Sequence, residues 1–168
     1  VIERLRQRVR AFRASGGVRL TRRDEAGSSS TLSSPSSASV ETARRARGVL
    51  AIGASTGGPQ AIEAVLSRLP DGLPPIVIAQ HMPAGFTQMF AERLNGVCPM
   101  RVVEARGGEV LERGTAYIAP GGSHLTVEQR GVALYARLDQ SPPEHFQRPA
   151  VDVLFRSLAR LSAVPRVA

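Results

Sequence analysis

From residue 49 onward, short apolar runs alternate with segments whose apolar residues recur every three to four positions. Such runs, when bounded by Gly or Pro, are typical of buried strands, and the three-to-four spacing is typical of amphipathic helices. Strands that alternate with helices predict an α/β fold with a mostly parallel sheet and helices on both of its faces. The predicted strands are VLAIG (49–53), IVIAQ (76–80), MRVVEA (100–105) and TAYIA (115–119), followed by a hairpin of HLTVEQ and VALYARL across Arg130-Gly131.

Three helices are predicted among these strands. The first begins at Pro59, a residue that favours the first turn of a helix. The second covers 86–95, and its spacing directs four apolar side chains inward: Phe86, Met89, Phe90 and Leu94. The third covers 149–161 and directs five inward: Val151, Leu154, Phe155, Leu158 and Leu161. A further strand is expected to begin at SAVPRVA, where the sequence stops. We therefore expect a doubly wound sheet whose C-terminal strands are missing.

The net charge of +8 is concentrated in residues 1–48. That segment has 11 arginines and four acidic residues, whereas residues 49–168 have 11 arginines and ten acidic residues. Nucleic-acid-binding modules typically present a basic stripe on a folded face, often with aromatic residues that stack on bases. Residues 1–48 contain one aromatic residue, Phe12, and the composition therefore argues against nucleic-acid binding as the main function.

Residues 1–48 are expected to form a region distinct from the body at 49–168. The apolar residues of 1–14 recur at helical spacing and predict one amphipathic helix, which needs a partner to cover its apolar face. The stretch at 28–39 has eight serines in twelve residues and cannot bury enough apolar surface to order itself. Either the region is a disordered arm, or its helix closes a preceding domain and the serine-rich stretch is a linker. The orphan helix favours the second interpretation.

The sequence predicts a cytoplasmic protein. Cys98 is the only cysteine, which excludes an internal disulfide framework and a four-cysteine zinc site. No run of 18 apolar residues is present, so a transmembrane helix is not predicted. The first ten residues carry charges where a secretory signal peptide would need an apolar stretch.

The segment Gly53-Ala54-Ser55-Thr56-Gly57-Gly58 lies between a predicted strand and a predicted helix. It fits G-x-S-x-G, the nucleophile-elbow pattern, in the strand–turn–helix context that this pattern requires. Small flanking residues permit a tight turn that exposes the Ser55 hydroxyl, and the following N–H groups at a helix N-terminus can stabilise an oxyanion. Two alternatives stay open from the residues alone: an anion-binding turn of a nucleotide- or phosphate-binding module, and a purely structural turn.

The second strand ends at Gln80 and is followed by His81. Because the carboxyl ends of parallel strands share one edge of a sheet, His81 is expected near Ser55, where it could serve as the general base. His124 and His145 are expected to be structural or surface residues. The histidines are far apart in sequence and lack the spacing of metal ligands, so neither a metal nor a cofactor is predicted.

A catalytic triad also needs an acid that orients the histidine. The candidate acids downstream of His81 are Asp139, Glu144 and Asp152, and none of them follows a predicted buried strand. The residues alone therefore leave the acid unassigned.

Four motifs together resemble the catalytic domain of the chemotaxis protein-glutamate methylesterases, response regulators of the CheB type. They are AIGASTGGPQAI, IAQHMPAGFTQMFAERLN, AYIAPGGSHL and RPAVDVLFRSLA, in the family's order and approximate spacing. The resemblance covers about 49–161. It implies a serine hydrolase of glutamate methyl esters on chemoreceptor helices, some members of the family also deamidating glutamine.

The resemblance also implies roles for individual residues. Ser55 would be the nucleophile, His81 the base, and the Thr56 backbone N–H part of the oxyanion hole. The family's aspartate lies in a Gly-Met-Gly-x-Asp-Gly turn that this sequence does not contain, so we expect the chain alone to be poorly stable and nearly inactive.

The resemblance further implies the partners of the protein. Residues 1–48 would be the end of a receiver domain with its linker, and residues 49–168 an incomplete catalytic domain. The expected partners are methylated chemoreceptor helices, the receiver domain and a histidine kinase. A non-catalytic docking fragment is the alternative, and it could coexist with the esterase.

Overall fold

The computed structural model of the protein describes residues 48–161 and 166–167. The predicted N-terminal helix and serine-rich stretch lie outside these residues, and the interpretation of residues 1–48 stays a prediction. None of the described helices is both long enough and apolar enough to cross a membrane. The elements are β1 (Val49–Ala54), α1 (Gly58–Leu66), β2 (Ile76–Gln80), α2 (Phe86–Val97), β3 (Arg101–Glu104), β4 (Thr115–Ile118), β5 (His124–Arg130), β6 (Ala133–Asp139), α3 (Val151–Ala159) and β7 (Arg166–Val167).

Five strands form one sheet in the order β3-β4-β2-β1-β7, and every neighbouring pair is parallel. The predicted parallel α/β sheet is thereby confirmed. The strand expected near the C-terminus is β7, which pairs with the start of β1. The predicted hairpin is also confirmed: β5 and β6 pair antiparallel as a separate two-stranded sheet.

Both faces of the large sheet are covered. On one face Val49, Val77 and Tyr117 belong to a core cluster that also contains apolar residues of the hairpin and of α3. On the opposite face Leu50 and Ile78 are equally buried. Alternate residues of a strand point to opposite faces, so a strand covered on both sides must be apolar throughout. This is why these strands read as continuous apolar runs.

The inward face of α2 differs from the prediction. Phe90 and Leu94 are buried as expected, but Phe86 and Met89 are more than half exposed. Thr87 takes the inner position of the first turn, where its hydroxyl donates to Glu104 Oε1 at 2.5 Å and accepts the Gly121 N–H at 3.0 Å. A hydroxyl with both partners satisfied can be buried without penalty, and this network, rather than maximal apolar burial, sets the rotation of the helix.

The helix α3 follows the prediction more closely. Leu154, Leu158 and Leu161 are buried, while Val151 and Phe155 are partly buried and pack against the core cluster.

Candidate active site

The carboxyl ends of β1 and β2 bring Ser55 and His81 together. The two strands pair in register with Ala54 opposite Gln80. The residues that follow on each strand, Ser55 and His81, therefore lie side by side. The His81 N–H donates to the Ala54 carbonyl at 3.1 Å and extends the ladder by one bond. The Ser55 Oγ lies 3.1 Å from Nδ1 of His81. The structure therefore places the predicted nucleophile and base within hydrogen-bonding distance.

Ser55 opens a tight turn that leads into α1. The Gly58 N–H donates to the Ser55 carbonyl at 2.7 Å, and Gly57 has φ 74° and ψ −4°. These angles match the third position of a type II turn, which requires a positive φ and therefore favours glycine. The turn leaves Ser55 and Thr56 exposed. Among the described residues, none accepts a hydrogen bond from the Thr56 N–H.

Gln80 lies beneath this turn and was not predicted as a site residue. It is 2% exposed, and its Nε2 donates to the Ser55 carbonyl at 3.0 Å and to the His81 carbonyl at 3.2 Å. A Cβ on Gly58 would lie 1.8 Å from the Gln80 Oε1, so only glycine fits at that position. The only sign of Gln80's position in the site that the sequence offers is an amide residue at the end of an otherwise apolar strand.

The candidate acids Glu144 and Asp152 lie in another cluster. Glu144 forms a two-point ion pair with Arg156, and that hydrogen-bonded guanidinium lowers the pKa of Glu144. His145 is exposed and lies 3.8 Å from Glu144 and 3.7 Å from Asp152. Sequence spacing gave no sign of this grouping, because a loop folds His145 back onto α3. The three side chains offer metal-type ligand atoms within 4.8 Å of one another. However, the carboxylate of Glu144 is already paired with Arg156.

Asp139 and His124 also have structural partners. Asp139 accepts the Ser141 N–H at 2.8 Å, and this hydrogen bond lowers the pKa of Asp139. His124 is fully buried; its Nδ1 accepts the Ala150 N–H at 3.0 Å, and its Nε2 lies 3.1 Å from the Pro142 carbonyl. In the part of the chain that the structure describes, His81 forms no ion pair with a carboxylate, so the acid stays unassigned.

Residues 50–167 match the family described as CheB methylesterase. The chain belongs to this family. A protein-glutamate methylesterase/protein-glutamine glutaminase of Geobacillus kaustophilus is 54% identical over 127 residues, which are 75% of this chain and 36% of the relative. A second protein of that name, from Syntrophus aciditrophicus, is 44% identical over 156 residues, 92% of this chain and 44% of the relative. The chain thus spans less than half the length of these two curated relatives.

A solved CheB structure agrees with the fold. The crystal structure of the Thermotoga maritima CheB methylesterase catalytic domain is 39% identical, with a TM-score of 0.66, over 68% of this chain and 61% of that chain. The predicted family and fold class are confirmed. Membership of the CheB methylesterase family also favours the nucleophile-elbow interpretation of the glycine-rich turn over that of a nucleotide-binding module.

Proposed function

We propose that this chain carries the serine–histidine part of a methylesterase that hydrolyses glutamate methyl esters on chemoreceptor helices. The observation that carries the proposal is the 3.1 Å contact between Ser55 Oγ and His81 Nδ1, at the carboxyl ends of adjacent parallel strands. A nucleophile and a base within this distance are the minimum for covalent serine catalysis. The methylesterase/glutaminase names of the relatives supply the substrate class.

In the first half-reaction the Ser55 Oγ attacks the ester carbonyl carbon while Nδ1 of His81 accepts the hydroxyl proton. The carbonyl oxygen becomes an oxyanion, which the backbone N–H of Thr56 would stabilise. As the intermediate collapses, the C–O bond to the methoxy group breaks and His81 returns the proton to that oxygen. Methanol leaves, and the glutamyl group stays on Ser55 as an ester.

In the second half-reaction water attacks this ester while His81 accepts one of the water protons. The bond to Ser55 Oγ then breaks, the proton returns to Ser55, and the receptor is released with an unmodified glutamate side chain. A glutamine side chain would follow the same course with ammonia as the leaving group, which is how we account for the second activity in the relatives' name.

Efficient turnover needs a carboxylate that orients His81 and stabilises its cationic form. Ser55 occupies Nδ1, so the aspartate of the family's Gly-Met-Gly-x-Asp-Gly turn would bond at Nε2. Removing the acid from a serine triad lowers turnover by about 10⁴-fold. We therefore expect this chain, whose sequence lacks that turn, to be nearly inactive without it.

The partners proposed for the protein follow from its family. Its substrates would be the cytoplasmic helices of methylated chemoreceptors. A phosphorylatable receiver domain would precede the catalytic domain and take its phosphate from a histidine kinase. These partners, and a cytoplasmic location, are proposals for the whole protein.

The test is methanol release from methylated chemoreceptor cytoplasmic fragments. Three proteins are compared: this chain, its Ser55→Ala variant, and the chain extended through the family's aspartate-containing turn. We expect release by the extended chain, a rate about 10⁴-fold lower from the chain alone, and none above background from Ser55→Ala. Failure of the extended chain on several receptors would contradict the proposal, and full turnover by the chain alone would contradict the role of the aspartate.

A further inference from the structure

We propose that Gln80 is a positioning residue that holds the nucleophile and the base in reach of each other; this inference rests on the proposed function. Its side-chain amide is the one polar group that bonds to both partners of the Ser55–His81 pair among the described residues. The reacting atoms are not touched by Gln80. It acts through the backbone that carries them.

One amide nitrogen makes both connections. The two hydrogens of Nε2 go to the carbonyl of Ser55 at 3.0 Å and to the carbonyl of His81 at 3.2 Å. The carbonyls belong to the residues whose side chains meet at 3.1 Å, so the amide closes a loop through both main chains. Side-chain position follows backbone position, and this bridge therefore limits how far Oγ and Nδ1 can separate.

The amide oxygen of Gln80 shows that this arrangement has a cost in stability. Gln80 Oε1 is buried and has no hydrogen-bond partner among the residues that the structure describes. Turning the amide over would give the oxygen no better partner, because it would then face two carbonyl oxygens. A buried polar atom without a partner destabilises the fold, and an apolar side chain of similar volume would avoid that penalty. A role of the amide nitrogen in positioning Ser55 and His81 would explain why an amide is present despite this penalty.

The surroundings are also shaped to admit the amide. Oε1 lies against the Cα of Gly58, where a Cβ would be 1.8 Å away, so the residue that begins α1 must be glycine. Ile76 and Ile78, which share the strand face with Gln80, are buried apolar residues. The amide thus interrupts an apolar face at the last position of β2, which pairs with Ala54 and directly precedes the level of Ser55 and His81.

Labelling of Ser55 by an alkyl fluorophosphonate tests the inference without receptor substrate. The Ser55 Oγ attacks phosphorus, the P–F bond breaks, fluoride leaves, and the hydroxyl proton passes to His81. The maximal rate kinact and the half-saturating concentration KI are measured by intact mass, and the labelled residue by peptide mapping. All variants are made in the chain extended through the family's aspartate-containing turn, which is the unaltered chain of this test: Gln80→Met, which keeps the volume, Gln80→Glu, Ser55→Ala, and the matched core control Ile78→Val.

Misplacement of a catalytic group by about 1 Å can cost about 100-fold in rate. We therefore expect kinact of Gln80→Met to fall about 10- to 100-fold, with KI within about twofold and the unfolding midpoint little changed. Ile78→Val should label at the unaltered rate. Equal kinact values for Gln80→Met and Ile78→Val, corrected for the folded fraction, would overturn the inference while leaving the proposed function intact.

Two further outcomes complete the test. If Gln80→Met does not fold, the Gln80→Glu variant tests the inference instead. Its carboxylic acid, when protonated, can donate one of the two hydrogen bonds. The kinact of this variant relative to the unaltered chain should therefore rise as the pH falls. A ratio that does not depend on pH would overturn the inference. If the unaltered chain labels no faster than Ser55→Ala, Ser55 is not an activated nucleophile, and the proposed function fails together with the inference.

Discussion

Replacing Gly58 with alanine is expected to destabilise the protein, although the same change usually strengthens a helix. Gly58 begins α1, and a Cβ there would lie 1.8 Å from Oε1 and 2.8 Å from Cδ of Gln80, and 2.8 Å from the Cβ of Ala54. Contacts this short cannot persist, so the Gln80 amide must move. Its two bonds, to the carbonyls of Ser55 and His81, would then be lost or stretched.

The magnitude follows from three contributions. Two hydrogen bonds are worth about 1 kcal/mol each to the net stability. Overpacking a filled interior costs about 1–3 kcal/mol, of which relaxation of a side chain recovers part. Against these losses, alanine in place of glycine within a helix gains about 0.5–1 kcal/mol. The balance is a loss of about 1–3 kcal/mol in the free energy of unfolding.

Urea denaturation of the unaltered chain and two variants measures this loss. Gly96→Ala is the matched control, because Gly96 lies in α2 and a Cβ there would have no atom within 4 Å. The control should gain about 0.5–1 kcal/mol from its lower backbone entropy. If Gly58→Ala is as stable as the unaltered chain, or if the two variants shift in the same direction by the same amount, the predicted clash with Gln80 does not occur.

Three further outcomes follow from the packing and the charges. Leu154→Ala removes a fully buried core side chain and should cost about 2–5 kcal/mol in urea denaturation, whereas Phe146→Ala, at a 99% exposed site, should change the stability by less than about 0.5 kcal/mol. Gly121→Ala would place a Cβ 2.3 Å from the backbone between β2 and α2, and should lower the thermal midpoint and the fluorophosphonate labelling rate together. The folded-state pKa of Glu144 is lowered by its arginine partner, so its contribution to stability is present above the ordinary glutamate pKa and is lost as the pH falls through the lowered value. The stability difference between the unaltered chain and Glu144→Gln should therefore shrink over that acidic range, and a difference independent of pH would argue against the pairing.

The strands and helices were predictable because each is a local pattern. The apolar runs, Pro59 and the Arg130-Gly131 turn specify their elements through the neighbouring residues alone. The rotation of α2 was not predictable in this way. Phe86 and Met89 have the right spacing for the core, yet the inner position belongs to Thr87, whose partners lie 17 and 34 residues further along the chain. Local spacing carries no information about such distant partners.

The site residues also fall into those that local sequence could predict and those that it could not. Ser55 and His81 could be placed together from the sequence, since parallel strands align their carboxyl ends at one edge. From the sequence, Gln80 was identified only as the end of the second predicted strand. Its role depends on the register that sets β1 beside β2 and on the close approach of Gly58, and both are tertiary features. The clustering of His145 with two acids was missed for the same reason.

Covalent trapping on Ser55 is the most decisive test of whether this protein hydrolyses esters through a serine nucleophile. The protein extended through the family's aspartate-containing turn is mixed with an excess of a methylated chemoreceptor fragment, quenched in acid within one turnover, and digested for mass spectrometry. We expect a burst of methanol equal to the enzyme concentration and a glutamyl adduct on the peptide that contains Ser55, with neither in Ser55→Ala. Methanol released at the same rate by Ser55→Ala, without an adduct on that peptide, would contradict this mechanism.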